Sequence, residues 1–127
     1  MPTGKWRLTI TQDFSSSHQL RNYDGKCEHM HGHNFGVEVA VVGEKLDPKI
    51  EYLMDFKELK KLTKQVLDRL DHQHLNEVPP FDEHNPSSEN LARYIYREIA
   101  KLLPDHVALA HVSVSEKASS VATYWEE

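Results

Sequence analysis

The sequence has 127 residues, 39 % hydrophobic and 28 % charged, which predicts one globular domain over residues 1–127. Its formal net charge of −5 argues against a general nucleic-acid binder, because such proteins usually carry a basic surface. We expect no membrane span, because no apolar run approaches the ~18 residues that one requires. The single cysteine, Cys27, excludes an internal disulfide and favours a cytoplasmic location.

The first half of the chain predicts two strands. Trp6, Leu8 and Ile10 alternate with polar residues, which is typical of a half-buried strand. A polar loop is predicted from Ser15 to Asn34. A second alternation over residues 37–41 predicts another strand that pairs antiparallel with the first.

Two amphipathic helices are predicted next. Asp55 is the expected N-cap of a helix over residues 56–70, with Glu58 completing a capping box. Its apolar stripe consists of Phe56, Leu59, Leu62, Val66 and Leu70. Ser87 or Ser88 is expected to cap a second helix that Pro104 ends. The buried stripe of that helix consists of Leu91, Ile95, Ile99 and Leu102.

Val112 and Val114 indicate a third strand, and residues 121–125 indicate a fourth. The order is therefore strand, strand, helix, helix, strand, strand. This order predicts an α+β fold in which two helices cover one face of a four-stranded antiparallel sheet. Subunit pairing would cover the exposed edges of such a small sheet.

Histidines are the compositional oddity of the chain, which has nine of them. His31 and His33 flank Gly32, and in extended chain both imidazoles point to one side and can reach one ion. Gly32 is expected to let the backbone bend around that ion. His18 can supply a third nitrogen if the two strands pair. Three imidazoles without an obvious fourth protein ligand are typical of a catalytic zinc, and a metal-free surface cluster is the alternative.

Three further features have both a chemical and a structural interpretation. Cys27 is a candidate base or nucleophile beside a bound cation, or a buried structural thiol. Asp71 and His72 can pair as carboxylate and imidazole, or His72 can interact with the helix dipole; His74 is interpreted as solvent-exposed or structural. Glu116 shares a strand face with valines and needs a partner with paired N–H donors, unless the strand has left the core there.

Six segments occur in the order that is typical of one protein family. They are FSSSHQL (14–20), CEHMHGHN (27–34), MDF (54–56), LDHQHLN (70–76), PSSENLA (86–92) and Glu116 with Tyr124. The chain thereby resembles the 6-pyruvoyltetrahydropterin synthase family, which includes the 6-carboxytetrahydropterin synthases of the queuosine pathway. Glu51-Tyr52 departs from the usual glycine-containing approach to MDF, and Lys117 stands where threonine is common. The resemblance implies the T-fold, assembled into trimeric barrels or hexamers with active sites at subunit interfaces.

The resemblance also implies a role for the metal and proton-transfer candidates. The Zn²⁺ ligands would be His18, His31 and His33. Cys27 would act as general acid or base. Asp71 and His72 would complete a proton relay, reaching in from a neighbouring subunit.

The implied substrate is 7,8-dihydroneopterin triphosphate. Glu116 would anchor the pterin ring, and Ser87 and Ser88 would retain the hydroxyl groups of the family's substrate-binding motif. Arg21 and Lys26 are candidates for triphosphate contacts, with a solvated position for both as the alternative.

The spacing Cys-x3-His-Gly-His resembles the queuosine-type members, which favours formation of 6-carboxytetrahydropterin with acetaldehyde and triphosphate. Glu28 resembles a glutamate with which some relatives cleave the side chain to 6-hydroxymethyl-dihydropterin, a folate precursor. A dual activity, a pyruvoyl-forming synthase and a non-catalytic metal- or pterin-binding T-fold protein are the alternatives.

Overall fold

The computed structural model describes residues 2, 4–22 and 29–127, and its elements follow the predicted order. They are β1 (Trp6–His18), β2 (His31–Gly43), α1 (Phe56–Leu67), a 3₁₀ turn (Leu75–Glu77), α2 (Ser88–Ala100), β3 (Ala108–Lys117) and β4 (Ser120–Tyr124). The strands form one antiparallel sheet in the order β1-β2-β3-β4. α1 lies against β1, and α2 lies against β3 and β4, which confirms the predicted α+β arrangement.

β1 and β2 both extend into the stretch predicted as a polar loop. Ser17 pairs with Gly32, and His18 pairs with His31, at the far end of the ladder. The alternation of apolar residues does not reveal this extension, because Ser16 and His18 continue the buried face with polar side chains. The predicted loop is therefore shorter, and its residues 23–28 lie outside the described part of the chain.

α1 begins as predicted but ends earlier. The Asp55 carboxylate accepts the N–H of Lys57 as an N-cap, and the helix ends at Leu67 instead of residue 70. His72, with φ of 57°, lies in the left-handed region that commonly follows a helix end. Leu70 is nevertheless buried, whereas Phe56, which was expected in the apolar stripe, is half exposed.

α2 begins at the predicted cap, where the Ser87 hydroxyl accepts the N–H of Asn90. It ends at Ala100, ahead of Pro104, so Leu102 packs against the core from beyond the helix. Leu91, Ile95 and Ile99 are fully buried, as their spacing predicts.

The apolar core between the sheet and the helices reaches the site through two stacked rings. Phe14 of β1 and Phe35 of β2 stack with ring centroids 4.9 Å apart. Phe35 also contacts the rings of His18 and His33 edge-on, at centroid distances of 5.1 and 5.6 Å. The core thus forms the floor on which the histidines lie. In the described part of the chain, both helices are too short and too polar to cross a bilayer.

Glu51 has a backbone conformation that glycine adopts without strain. Its φ is 66°, in a turn where its N–H donates to the Asp47 carbonyl at 2.8 Å. A Cβ in this region costs about 1 kcal/mol. We expect Glu51→Gly to raise the free energy of unfolding by about 0.5 kcal/mol in urea titrations, because the gain exceeds the entropy lost to glycine.

Glu51→Ala is the matched control. It removes the charge but keeps the Cβ, so no gain is expected. An equal gain in both variants would assign the effect to the side chain and not to the backbone.

Candidate active site

The ends of β1 and β2 bring three imidazoles together. His18 pairs with His31 and Ser16 pairs with His33, so the histidines share the helix-facing side of the sheet. The ring of His31 lies 4.5 Å from each of the other two, centroid to centroid, and the rings of His18 and His33 are 5.3 Å apart. The predicted histidine cluster therefore forms within one chain.

Glu116 completes this cluster with a carboxylate. Its Oε1 lies 3.2 Å from His18 Nε2, and its Oε2 lies 3.5 Å from His33 Nε2. The β3–β4 register shifts between Ser115 and Lys117, so Glu116 is the bulged residue, and bulges commonly redirect a side chain at a functional site. The sequence indicated no fourth protein ligand, and the structure adds Glu116 to the three histidines: one donor atom from each of the four side chains lies within 4.8 Å of the others.

Main-chain carbonyls set the tautomers of two of the imidazoles. His18 Nδ1–H donates to the Pro86 carbonyl at 2.8 Å, and His31 Nδ1–H donates to the His29 carbonyl at 2.8 Å. Each ring therefore presents a lone pair on Nε2 when it is neutral. Burial is the main effect that lowers the pKa of His18, against the opposing effects of the Pro86 bond and of Glu116, and it favours the neutral form.

The four side chains fit a bound cation. Nε2 of His18 and Nε2 of His33 are buried without a hydrogen-bond partner among the described residues, although they face carboxylate oxygens. Because neutral His18 presents a lone pair to a carboxylate oxygen, this contact is unfavourable unless a proton or a metal cation lies between the two atoms. Two ligands of a tetrahedral zinc with bonds of 2.0–2.2 Å are separated by roughly 3.3–3.6 Å, which is close to the N–O distances of 3.2 and 3.5 Å.

Glu116 also lines a cavity next to α2. This cavity has a volume of about 360 Å³ and is lined by Ser87, Ser88 and Glu89 of the α2 N-terminus, together with Glu116. The predicted substrate-binding residues Ser87, Ser88 and Glu116 therefore lie together. Sequence reasoning did not single out Glu89, although its position in the PSSENLA segment was a signal available in the sequence.

Asp71 and His72 form the predicted pair beside a second cavity. Asp71 Oδ2 lies 2.9 Å from His72 Nδ1, and Asp71 Oδ1 accepts the N–H of Ser15 at 2.8 Å. The bond from Ser15 is the main effect that lowers the pKa of Asp71, and the contact with His72 adds to it. His72 lines this cavity of about 590 Å³ together with His33 of the histidine cluster.

Gly32 has a different role from the expected one. It pairs regularly with Ser17 and has no positive φ, so it does not bend the backbone. A Cβ at this position would meet nothing closer than the Ser16 carbonyl oxygen, at 3.9 Å. Gly32 instead forms part of the wall of the cavity of about 590 Å³, where its lack of a side chain leaves space free.

Comparison with known proteins agrees with this arrangement. The model of the family described as 6-pyruvoyl tetrahydropterin synthase matches residues 7–127. The chain belongs to this family. Its fold is the T-fold: the structure of 6-pyruvoyl tetrahydropterin synthase from Caenorhabditis elegans superposes with a TM-score of 0.88 at 27 % identity, covering 100 % of this chain and 99 % of that one.

Curated relatives in the 6-pyruvoyl tetrahydropterin synthase family have different named reactions. The chain is 38 % identical to a dihydroneopterin monophosphate aldolase of Pyrococcus furiosus, over 88 % of this chain and 90 % of the relative. It is 34 % identical to a 6-carboxy-5,6,7,8-tetrahydropterin synthase of Synechocystis, over 94 % and 93 % of the two chains. Family membership therefore establishes pterin chemistry without selecting one product.

The remaining predicted residues are Arg21, Lys26, Cys27 and Glu28. Cys27, Glu28 and Lys26 lie outside the described residues, so their roles stay predictions. The Arg21 guanidinium donates to the Phe81 carbonyl at 2.8 Å and to the Asn76 carbonyl at 3.3 Å. These bonds fasten the loop around residues 76–84, and they do not favour the predicted triphosphate contact.

Two asparagines that sequence reasoning missed hold the chain beyond β1. Asn76 accepts the N–H of Gln19 and donates to its carbonyl, both at 2.8 Å. Asn85 makes the same pair of bonds with the backbone of Arg21, at 2.9 and 2.8 Å. Each side-chain amide makes the two backbone hydrogen bonds that a neighbouring strand would otherwise make. The backbone beyond His18 therefore stays hydrogen-bonded.

The ionised Asp71 carboxylate should stabilise the fold at neutral pH. Because its folded-state pKa is lowered, its contribution is complete above the unfolded-state pKa of about 3.9 and is lost as the pH falls through the folded value. Since the side chain is partly exposed, we expect Asp71→Asn to reduce the unfolding free energy by about 1 kcal/mol at pH 7. The difference should narrow below about pH 4 in urea titrations of the metal-free protein.

Asp68→Asn is the control for charge removal in the same segment. Asp68 forms an exposed pair with Lys64, and such pairs contribute little. A constant difference between Asp71→Asn and wild type from pH 7 to pH 3 would contradict the assigned role of the Asp71 charge.

Proposed function

We propose that the chain is a zinc-dependent lyase that converts 7,8-dihydroneopterin triphosphate to 6-carboxy-5,6,7,8-tetrahydropterin, releasing acetaldehyde and triphosphate. The observation that supports this best is the position of Glu116 between the histidine cluster and the α2 cavity. A pterin ring held in that cavity would lie next to the proposed metal ligands, because Glu116 belongs to both. A cytoplasmic location stays a prediction from the single cysteine.

Three imidazoles, His18, His31 and His33, are proposed to hold the metal. Zinc would acidify the substrate hydroxyls and stabilise negative charge on oxygen when bound. Imidazole also suits iron and nickel, so the preference for zinc is part of the proposal.

Hydrogen-bond acceptors at the α2 cavity are proposed to bind the pterin ring. The amino-pyrimidinone edge carries adjacent N–H groups, which a carboxylate such as Glu116 can accept in a bidentate contact. Glu89 and the hydroxyls of Ser87 and Ser88 supply further acceptors along the same wall. A cavity wall with two carboxylates favours a ring edge that carries N–H donors.

Asp71 and His72 are proposed to transfer protons. Asp71 accepts the Nδ1–H of His72, which fixes the tautomer and leaves Nε2 free to take up a proton. Cys27 is proposed as the second acid–base group. Together they can remove a proton from one atom of the side chain and return it to another.

The proposed enzyme is a homo-oligomer, a trimer or hexamer, in which the relay pair reaches a neighbouring site. β1 and β4 are the two edges of the sheet in this chain, and exposed edges favour pairing between subunits. The only partners proposed are further copies of the chain and the small-molecule substrate.

Side-chain cleavage to 6-hydroxymethyl-dihydropterin is the second candidate, alone or as a dual activity. Two observations favour it: Glu28 directly follows Cys27, and the chain is 38 % identical to an aldolase named for dihydroneopterin monophosphate. Cys27 and Glu28 are adjacent in the sequence, so their contributions can be compared by replacing each of them separately.

Product identification tests both candidates. Zinc-loaded protein is incubated with 7,8-dihydroneopterin triphosphate, and the products are separated by mass. We expect 6-carboxytetrahydropterin with acetaldehyde from wild type and from Glu28→Gln, and none from Cys27→Ala with zinc retained. Hydroxymethyl-dihydropterin that disappears in Glu28→Gln would establish the second candidate, and 6-pyruvoyltetrahydropterin would identify the pyruvoyl-forming reaction. No turnover with bound metal would favour a binding protein.

Metal content tests the ligand set. His31→Ala should lose most of its zinc in elemental analysis, because it removes one of three imidazoles. His29→Ala is the matched control: this neighbouring histidine is exposed, and its main-chain carbonyl still orients His31. Full zinc occupancy in His31→Ala would refute the three-histidine site.

A further inference from the structure

A further cavity lies between α2 and the loop that precedes it. Its walls come from residues 80–84 and from α2, and we call it the arginine cavity after Arg93 and Arg97, which line it. Its volume of about 400 Å³ falls within the range of about 300–1,000 Å³ that is typical of small-molecule sites. Among the described residues, it shares no lining residue with the cavity beside Glu116. The arginine cavity is therefore a separate place at which a ligand can bind.

Two aromatic rings form the apolar side of the arginine cavity. Phe81 is buried, Tyr94 is half-buried, and their ring centroids lie 5.4 Å apart. The backbone of Phe81 is held on both sides, because its N–H donates to the Val78 carbonyl at 2.7 Å and its carbonyl accepts from the Arg21 guanidinium at 2.8 Å. This surface is thus preformed, and an aromatic ring of a ligand can pack against it.

Two guanidinium groups line the same cavity about one helical turn apart. Arg93 is exposed, and in the described part of the chain its guanidinium bonds the neutral side chain of Asn90 and no carboxylate. Arg97 lies 3.2 Å from Glu126, in an ion pair whose two side chains are about half exposed. Exposed pairs of this kind contribute little. The N–H groups of Arg93 are therefore available to an anion, and Arg97 can add to the attraction.

Carboxylates do not cancel this positive charge inside the arginine cavity. Glu98 lines it, but its two oxygens are bound by Arg69 and Lys101, each at 2.6 Å. Asp82 and Glu83 of the loop are exposed and do not belong to the lining. The chain as a whole has a formal net charge of −5, so a local excess of cations is not a general property of its surface.

We infer that the arginine cavity binds a small ligand in which an aromatic ring carries a phosphate group, such as a nucleoside monophosphate. The ring would pack against Tyr94, and the phosphate would accept N–H groups of Arg93 in a bidentate contact. A phosphate monoester carries about two negative charges at neutral pH, so it matches two guanidinium groups better than a single carboxylate does. The apolar side and the charged side together favour a ligand that has both parts.

Calorimetric titration of the purified protein with AMP, adenosine and inorganic phosphate tests this inference. AMP is suitable because its ring lacks the amino-pyrimidinone edge proposed for the cavity beside Glu116. We expect AMP to bind about tenfold more tightly, or better, than either of the other two, because only AMP uses both the aromatic and the cationic side. Equal affinities for AMP and phosphate, equal affinities for AMP and adenosine, or no binding of AMP would each overturn the inference.

Variants locate the bound nucleotide. Arg93→Gln should weaken AMP binding by about tenfold or more, because it removes a charge-assisted bidentate contact. Its circular dichroism should match wild type, since the side chain is exposed.

Lys61→Gln is the matched control, because it removes one positive charge from an exposed helical position that does not line the cavity. Its affinity for AMP should stay within about twofold of wild type at physiological ionic strength. Glu116→Gln should likewise bind AMP as wild type does. Unchanged AMP binding in Arg93→Gln, or loss of binding in Glu116→Gln, would assign the nucleotide to another site and overturn the inference.

Discussion

His18 lies directly opposite His31 in the antiparallel pairing of β1 with β2, and the rest of the site depends on this register. Side chains alternate between the faces of a sheet, so a slip of one residue would move His18 to the other face. The stacked rings of Phe14 and Phe35 fix the same register from the core side. Burial of these apolar side chains thus determines where the imidazoles lie, although the imidazoles themselves contribute little to the core.

The same strand end positions the segment that carries Asp71 and His72, the proposed proton relay. Ser16 Oγ donates to the Leu70 carbonyl, the Ser17 N–H donates to the Gln73 carbonyl, and Ser17 Oγ lies 2.9 Å from His74 Nδ1. Ser15 contributes as well, because its carbonyl accepts the N–H of His72, so the three serines before His18 fasten residues 70–74 alongside β1. This contact explains why a run of small hydroxyl residues precedes the first histidine, and it gives His74 the structural role considered from the sequence.

The order of the elements and the helix caps could be predicted because apolar periodicity and capping residues are local signals. The strand ends could not, since Ser16, His18, His31 and His33 continue the strands without apolar alternation. The shared strand face of the two β2 histidines was predictable from their spacing. Glu116 as a neighbour of those histidines was not, because its position depends on a bulge between strands that meet only in the folded chain. The role of Asn76 and Asn85 was not predictable either, because the backbone groups that their amides bond lie 57 and 64 residues away in the sequence.

The carbonyl groups that orient His18 and His31 belong to the main chain at Pro86 and His29. Every amino acid carries this group, so point substitutions at either position leave the acceptor in place as long as the backbone path is kept. Evolution can therefore vary the side chains around these imidazoles without changing which nitrogen faces the centre of the cluster. Glu116 has no such protection, because its carboxylate is lost in any substitution except aspartate. Mutational drift in this chain should consequently alter the acidic side of the cluster sooner than it alters how the histidines are held.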